Sequence, residues 1–451
     1  MPETERLARF VVDTAFEDLP TTVIETAKRA IQDFIGVASF GSQHPVGDRL
    51  TGYVDRFAPG EQATVIGRGM ASATGAALAN GGFGHAVDYD DTFESIVIHP
   101  TAPTFPAALA TAELVGGSGE ALLRGYVLGV ETTYRIGHAT YPSHYEQGFH
   151  ATGTIGAFGA AAAAGTVLGL TTTQVGHAFG VAAASASSLK KNFGSMAKPY
   201  HAGHAAQMGV RAALLAYDGF TAEPSILEGP IGYGEVMTPG GDYDSAAITA
   251  DLGSEWAIDD IGFKPYPSGV ITHAAMEALR RLVIEEEIEP ADVERIVVTL
   301  DTAASEMLHH TRPTDALEAK FSIEFCLTAV LLKRDVDITD FRDEFVTNEE
   351  IQSAIELVER DFQRNLFGEE FAGYGARVVI ETTTGRTFVR EEPRAPGAPS
   401  NPLPPARWEA KYETCAGQVL SEPAIDAVRE AIDSLEAPGS LDTLVDELRA
   451  D

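Results

Sequence analysis

The sequence predicts a mainly α-helical protein with a smaller α+β second domain. Apolar residues follow a helical period up to about Gly219, where Ala- and Gly-rich segments recur, and short β-type runs appear after Asp260. A chain of 451 residues is also longer than one hydrophobic core usually serves. We therefore place a helical domain at 1–260, completed by 400–451, and an α+β lid domain at 261–399.

The helical domain is expected to be an all-α bundle that begins with two amphipathic helices, one of them carrying Leu7, Phe10 and Val11 on a single face. Later helices are apolar all round, which is typical of buried helices. The most apolar run, Thr154 to Leu170, is mostly Ala and Gly and is too short to span a bilayer. The expected positions of these later helices are 101–116, 121–137, 152–168, 171–187 and 203–218.

The lid domain combines a strand, a hairpin and three helices. Glu294–Leu300 is rich in β-branched residues, and Ala376–Glu381 and Arg386–Arg390 flank the turn Thr382–Gly385. A Pro- and Gly-rich linker, Pro393–Pro405, ends the domain, and the remaining residues are helical again. The helices of this domain are expected at 272–286, 317–333 and 348–357.

The charge balance restricts the partners. Acidic residues outnumber basic ones 66 to 32, for a net charge of -34, so nucleic acid and anionic membranes would be repelled. The even spread of acidic residues predicts a halophilic protein, with an ordinary acidic cytosolic protein as the alternative. Two cysteines supply neither an iron–sulfur cluster nor a disulfide framework. The charged N-terminus is unlike a signal peptide, and we expect a cytoplasmic location.

Lysine is scarce, and the few that occur are clustered. Five of the eight lysines fall between positions 190 and 320. A surface that avoids lysine suggests that some of these five bind an anion, although ordinary ion pairs would also explain them.

The segment from Gly84 to Thr92, followed by His99, carries the strongest chemical signal. Asp88, Thr92 and His99 are residue types that move a proton and hold the group that exchanges it. The alternative is structural, with Asp90 and Asp91 capping a helix and the histidines satisfied within the core.

Three later segments have the same character, each where a loop enters a helix. His150 and Thr152 begin one Ala-rich helix, where free N–H groups favour a carboxylate. Lys198 precedes the next, together with two imidazoles. The alternatives are a capped core histidine and an ion-paired lysine. The remaining candidates in these segments are His201, Lys264, Ser268 and His273.

No motif indicates a metal or a nucleotide cofactor. His201 and His204 are only a weak metal signal, because no His-x-x-x-His or Glu-x-x-His pair occupies a clear helical face. No Gly-x-Gly-x-x-Gly follows a predicted strand. We therefore expect neither metal nor cofactor.

In order along the chain, these segments resemble the MmgE/PrpD family, which includes 2-methylcitrate dehydratases, cis-aconitate decarboxylases and iminodisuccinate epimerases. The resemblance covers essentially the whole chain. The matching segments are His85–Thr92, His99–Pro103, Gly148–Thr154, Lys198–Gly203, Ala205–Gln207, Ile226–Pro230, Lys264–Pro267, Arg312–Thr314, Leu317–Ser322 and Asn401–Pro404.

The resemblance implies a homodimer whose helical domain and lid enclose an active site without metal or cofactor. It places site positions on Asp88, Thr92, His99, His150, Lys198 and Lys264. These residues are therefore expected to line one cleft between the two domains.

We interpret the chain as a cofactor-independent lyase of a small di- or tricarboxylate, foremost a 2-methylcitrate dehydratase. Removing a proton beside a carboxylate needs cations at the developing enediolate, and Lys198 and Lys264 are candidates, helped by His150. His99 is the expected general acid or base, held by Asp88. Substrate contacts are expected from Thr92, Thr152, His201, Ser268 and His273.

Two departures weigh against cis-aconitate decarboxylation. The family's decarboxylases have a histidine five residues after the second lysine and an active-site tyrosine in the lid, where this chain has Gly269 and Phe325. A decarboxylase or an epimerase using the same pocket is the alternative among enzymes. The alternative of another class is a non-catalytic helical protein that binds a carboxylate or a protein partner.

The acidic surface predicts opposite effects of salt on stability and on substrate binding. Screening shortens the reach of charge from ~30 Å at 0.01 M to ~3 Å at 1 M salt. We expect the melting temperature and dimerisation to rise with KCl, while the Michaelis constant for an anionic substrate also rises. Thermal melts and sedimentation between about 0.05 and 2 M KCl test this, and a flat melting temperature across that range contradicts the halophilic interpretation.

Overall fold

Helices form wherever the apolar period of the sequence matches the helical turn, and they dominate both ends of the chain. The computed structural model describes residues 1–93, 95–368 and 375–449. They fall into two units. The first comprises Met1–Ala86, Asp90–Gly262 and the residues from Tyr412 onward, and the second comprises Val87–Tyr89 and Phe263–Lys411. The predicted fold class, mainly α with an α+β C-terminal part, is confirmed.

The first unit is built largely from buried helices. Two short antiparallel strand pairs also belong to it, β1 (Ala63–Val65) with β2 (Gly69–Ala71) and β3 (Thr92–Phe93) with β4 (Ile261–Gly262). The expectation of a purely helical bundle is therefore wrong in this detail. The helices are α1 (Glu3–Asp13), α2 (Thr21–Ser42), α3 (Pro45–Phe57), α4 (Ala73–His85), α5 (Thr101–Val115), α6 (Gly119–Thr140), α7 (Ser143–Glu146), α8 (Ala151–Thr154), α9 (Gly156–Leu168), α10 (Thr172–Ala183), α11 (Ala197–Tyr217) and α12 (Tyr233–Met237).

Glycines set the spacing of the central helices. A Cβ added to Gly203 of α11 would overlap the Leu78 carbonyl oxygen of α4 and lie 2.9 Å from the backbone nitrogen of Gly82. Gly209, six residues further along α11, faces Ala160 of α9 in the same way. The small residues of the sequence thus allow α11 to contact two neighbours almost backbone to backbone.

The Ala-rich run is buried, as the sequence predicts. Ala151–Leu168 has the length and apolar composition of a membrane span, but 89% of the 18 residues are buried inside the protein. Close packing of small side chains accounts for this run within the first unit.

The second unit contains a four-stranded sheet covered by helices. The strand order is β6-β5-β7-β8, in which β5 pairs parallel to β6 and antiparallel to β7. The predicted hairpin is confirmed as β7 and β8, with Gly385 in its turn at φ 83°. The elements are α13 (His273–Glu285), β5 (Val293–Asp301), α14 (Ala316–Ala319), α15 (Ile323–Lys333), α16 (Asp343–Val346), α17 (Glu349–Ala354), β6 (Val358–Gln363), β7 (Ala376–Thr382) and β8 (Thr387–Glu392).

Two predicted helices of this unit are shorter than expected. The helix expected at 317–333 is interrupted, because the Ser322 side chain accepts a hydrogen bond from the Phe325 amide and starts α15 anew. The helix expected at 348–357 ends at Ala354 as an α-helix, and β6 follows it. Sequence analysis missed β6, since its exposed face carries charged residues. The chain ends in α18 (Pro405–Ala416), α19 (Glu422–Asp433) and α20 (Ser440–Leu448).

The glycine contacts predict a large difference between two substitutions to alanine. Gly203→Ala forces α11 and α4 apart, and we expect the free energy of unfolding to fall by about 1–3 kcal/mol. Gly52→Ala, at a position of α3 with nothing within 4 Å of the added Cβ, should instead raise it by up to about 1 kcal/mol. Denaturant titration of both variants measures the contrast, and equal effects would refute the close-packing argument.

Candidate functional site

Five buried side chains of the first unit form the group that we call the imidazole cluster: His85, Asp90, His99, His150 and His201. His85 is the last residue of α4, a helix that begins where Ser72 accepts a hydrogen bond from the Gly75 amide. Its Nδ1 lies 2.7 Å from Asp90 Oδ2, and both residues are only 1% exposed. The carboxylate orients the ring, because an ionised carboxylate accepts and the Nδ1–H donates.

His99 is held from two sides. Its Nδ1 is 2.7 Å from the Asp91 carbonyl oxygen and 3.4 Å from Asp90 Oδ2, and its backbone N–H donates to Thr152 Oγ1 at 3.1 Å. A carbonyl oxygen can only accept, so Nδ1 carries the proton. In the neutral form of this ring the lone pair is then on Nε2, the arrangement that a general base requires.

His150 and His201 form a direct pair. The two Nδ1 atoms are 3.1 Å apart, and the His85 ring stacks on His150 with centroids 5.4 Å apart. Burial lowers the pKa of His150 well below its usual range, and the neighbouring His85 and Lys198 lower it further. Burial likewise lowers the pKa of His201 to about 4. Both rings are therefore neutral at pH 7.

Lys198 belongs to the same surroundings, but it lies within a helix. The sequence predicted that Lys198 and His201 precede a helix starting at 203, whereas α11 starts at Ala197 and includes both. Pro199 is compatible with this start because the first turn of a helix leaves backbone N–H groups unbonded. Lys198 is 6% exposed, and its Nζ lies 5.3 Å from the Phe193 ring centroid.

A second group of predicted residues lies in the second unit. Lys264 Nζ is 2.6 Å from Asp88 Oδ1 and 3.0 Å from the Asp88 carbonyl oxygen, with side-chain exposures of 2% and 5%. Asp88 has φ 55°, an unfavourable conformation for a residue with a Cβ. His273 Nε2 donates to the Ser268 carbonyl oxygen at 3.1 Å, and burial lowers its pKa to about 3.

Two hydroxyls predicted to bind substrate already have protein partners. Thr92 Oγ1 lies 3.3 Å from the carbonyl oxygens of Phe93 and Ile98. Ser268 Oγ is 2.8 Å from Thr272 Oγ1. These bonds hold the loops in place, and the role of either hydroxyl toward a substrate stays a prediction.

The structure thus brings His99, His150, Thr152, Lys198 and His201 together in one unit, and Asp88, Lys264, Ser268 and His273 in the other. The sequence predicted that Asp88 holds His99 in place, and this is wrong. His99 Nδ1 donates to the Asp91 carbonyl oxygen, while Asp88 accepts a hydrogen bond from Lys264. That both groups line one cleft stays a prediction. Sequence analysis did not assign His85 and Asp90 a site role, although they lie in the strongest motif.

His85, Asp90 and His99 could also hold a metal ion. Their ligand atoms all lie within 4.8 Å of one another, and two imidazoles with a carboxylate suit zinc or iron. The Nδ1 atoms of both rings are bonded to acceptor oxygens, so a metal would have to bind the two imidazoles through Nε2. The expectation of a metal-free site stays an expectation.

Asp91 lies beside the cluster and is fully enclosed. It accepts a hydrogen bond from the Thr101 hydroxyl, which is itself 2.6 Å from the Tyr126 hydroxyl. Burial raises the pKa of the Asp91 carboxyl to about 8, and the Thr101 bond offsets only part of the rise. Asp91 is therefore protonated at pH 7. Asp91 Oδ1 also accepts a hydrogen bond from the backbone N–H of Thr101, the first residue of α5, at 3.4 Å. Asp91 therefore caps a helix, which is the structural role suggested for it as the alternative.

Comparison with known proteins assigns a family to this fold. The MmgE/PrpD N-terminal domain matches residues 5–246, and the MmgE/PrpD C-terminal domain matches residues 266–437. The chain belongs to the MmgE/PrpD family, which confirms the resemblance seen in the sequence.

Three relatives illustrate the similarity. The chain is 28% identical to a cis-aconitate decarboxylase of Aspergillus terreus, over 96% of this chain and 93% of that protein. It is 26% identical to the cis-aconitate decarboxylase of Homo sapiens, over 96% and 92%. It is also 26% identical to a cis-aconitate decarboxylase-like protein of Aspergillus oryzae, over 98% and 96%.

The buried Asp88–Lys264 pair predicts strong energetic coupling. Asp88→Asn or Lys264→Met alone leaves one buried charge without its partner, and we expect each to lower the free energy of unfolding by about 3–5 kcal/mol. The double variant should lose much less than the sum of the two. Breaking the exposed pair Arg295–Glu359 of the same unit is the control and should cause no measurable loss. Additive single effects would contradict the coupling.

Asp91 predicts a pH-dependent stability. Its carboxyl ionises near 3.8 in the unfolded chain but near 8 in the folded one, so between these values the unfolded state binds fewer protons. The free energy of unfolding then falls as pH rises. The side chain introduced by Asp91→Asn cannot ionise. The free energy of unfolding of this variant should therefore increase relative to that of the wild type as the pH rises, by at most about 1.4 kcal/mol per pH unit. Urea unfolding across this pH range measures it. Asp55→Asn, at an exposed carboxyl of α3, should leave the slope unchanged.

Proposed function

We propose that the chain is a cofactor-independent lyase of a small di- or tricarboxylate, and foremost a dehydratase of the 2-methylcitrate type. The observation that carries the proposal is the imidazole cluster beside Lys198. Two of its buried imidazoles, those of His150 and His201, are neutral at pH 7, and the Lys198 cation acts on both. Family membership supports the same class of reaction.

Dehydration needs both a base and an acid. In our proposal His99 Nε2 takes the proton from the carbon next to the substrate carboxylate. His99 Nδ1 is not available for this, because it carries the proton that is donated to the Asp91 carbonyl oxygen. The electron pair moves into the new carbon–carbon double bond as the neighbouring hydroxyl departs. His150 protonates that hydroxyl, so water leaves. Lys198 stabilises the enediolate that develops at the carboxylate, where a low dielectric strengthens its charge.

Asp88 and Lys264 are proposed to act on the same substrate from the second unit. Their support is the chain itself, because Asp88 is separated from Asp90 by one residue. Lys264 would supply a second cation, and its bond to Asp88 would fix the ammonium position.

Decarboxylation of cis-aconitate is the second candidate, and the names of the relatives favour it. It is placed second for two reasons. The loss of CO₂ needs one proton donor and no base at carbon, whereas the imidazole cluster offers groups for both roles. Phe325 is fully buried with its ring 5.3 Å from that of Phe341, which makes it a core residue without a hydroxyl.

A substrate panel tests the proposal. Purified protein is incubated at molar KCl with citrate, 2-methylcitrate and cis-aconitate, and alkene absorbance and CO₂ release are followed. Alkene formation from 2-methylcitrate supports the dehydratase. CO₂ release from cis-aconitate supports the second candidate. If neither signal is seen, the enzymatic proposal is overturned in favour of a non-catalytic binding protein.

Loss of His99 predicts a large kinetic effect. We expect His99→Ala to lower kcat by about two to four orders of magnitude, the usual contribution of a general acid or base. The fold should survive, since the neighbouring helices keep their contacts. His138→Ala, at an exposed histidine of α6, is the control and should retain activity. Circular dichroism and thermal melts accompany the kinetics, and an unfolded or fully active His99→Ala protein would favour a structural role.

A further inference from the structure

Each turnover proposed above has to move protons between a buried imidazole and water. His150 is 2% exposed, so it has little direct access to solvent. A general acid that gives up its proton must regain one before the next cycle. The structure therefore has to provide a route between His150 and the surface.

His201 and Asn192 lie along such a route. His150 Nδ1 is 3.1 Å from His201 Nδ1, and the other nitrogen of that ring, Nε2, is 3.4 Å from Asn192 Nδ2. Asn192 is exposed and ends the short 3-10 helix Lys190–Asn192. A buried ring, a second ring and a surface amide thus follow one another at hydrogen-bonding distances.

The contacts define where the protons are. The Asn192 amide donates to His201 Nε2, so the proton of the neutral His201 ring is on Nδ1. That proton is donated to His150 Nδ1, which must accept. The proton of the neutral His150 ring is then on Nε2, the nitrogen that remains for the substrate.

We propose that His201 is a proton relay between solvent and His150, a role that rests on the function proposed above. When His150 Nε2–H passes its proton to the departing hydroxyl, His150 Nδ1 takes the proton of His201 Nδ1. His201 Nε2 then takes a proton from solvent at the Asn192 side. One proton enters as one leaves, and both rings stay neutral. After the product leaves, the passage runs in reverse. The proton that His99 took from the substrate reaches His150 Nε2, His150 Nδ1 returns its proton to His201 Nδ1, and His201 Nε2 releases one to solvent, so all three rings are restored.

The electrostatics of the pair suit this role. Burial lowers the pKa of both rings, that of His201 to about 4, so neither ring carries a second proton at neutral pH. The small size of Gly153 allows the contact, because a Cβ there would overlap Ser188 Oγ and lie 2.9 Å from His201 Cβ.

Proton exchange at His150 tests the relay without any substrate. In the full-length protein with nitrogen-15 histidine, the exchange rate of the His150 ring proton with water is measured by NMR, and His150→Gln identifies the signal. We expect His201→Gln to slow this exchange by about a hundredfold, the lower end of what a positioned proton carrier contributes. His204→Gln is the control, because it lies on the same helix and contacts Tyr200 instead. An unchanged rate in a folded His201→Gln protein overturns the relay.

Two further measurements complete the test. If His201→Gln fails to fold, Asn192→Leu at the exposed outer end is expected to slow the same exchange, and an unchanged rate overturns the proposal. In turnover assays, His201→Gln should lower kcat with KM unchanged, and free imidazole in solution should restore it; no restoration also counts against the relay. If the wild type turns over none of the carboxylates and His201→Gln still slows the exchange, the proposed function is refuted and the relay stands.

Discussion

The close approach of helices through glycine is the constraint on which the imidazole cluster depends. Gly203 brings α11 against α4, the helix that ends at His85, and Gly153 brings α8 against His201. A single Cβ at either position would meet backbone or side-chain atoms at less than van der Waals distance. The Ala- and Gly-rich composition of these helices is therefore more than a way to fill a core. It brings His85, His150 and His201 close enough for their rings to stack or share a proton.

This dense packing also decides the protonation states. Water is excluded around the cluster, so charge survives only where a partner compensates it. Arg135 and Glu131 form a buried ion pair at 2.6 Å, and Asp88 and Lys264 form another at 2.6 Å in the second unit. Groups without such a counter-charge become neutral instead, as His150 and Asp91 do. The same desolvation that keeps the His150 ring neutral at pH 7 thus makes the neighbouring Asp91 carboxyl a neutral hydrogen-bonding group.

Sequence analysis predicted the fold class and most cluster members because both depend on local pattern. Helical periodicity and small residues locate α5, α6 and α9, and motifs of His, Lys and Asp mark loop ends. What it missed depends on three-dimensional neighbours. The pairing of His85 with Asp90 requires the exact turn after α4, and β6 is a strand only because β5 lies beside it. The start of α11 at Ala197 was not predicted because of Pro199. Proline usually interrupts a helix, but it is accepted in the first turn.

The lysines show why rarity alone is a poor guide to function. Five of the eight are buried: Lys28, Lys198, Lys264, Lys320 and Lys411. Lys28, Lys320 and Lys411 donate to backbone carbonyl oxygens at 2.8–2.9 Å, which is a structural task. The scarcity of lysine therefore reflects an acidic surface that excludes it, together with an interior that retains it as a donor. Lys198 stands apart because it lowers the pKa of two neighbouring imidazoles, and that local environment makes it a candidate for binding an anion. Surface charge and site charge are thus set by separate residues, and salt acts on each independently.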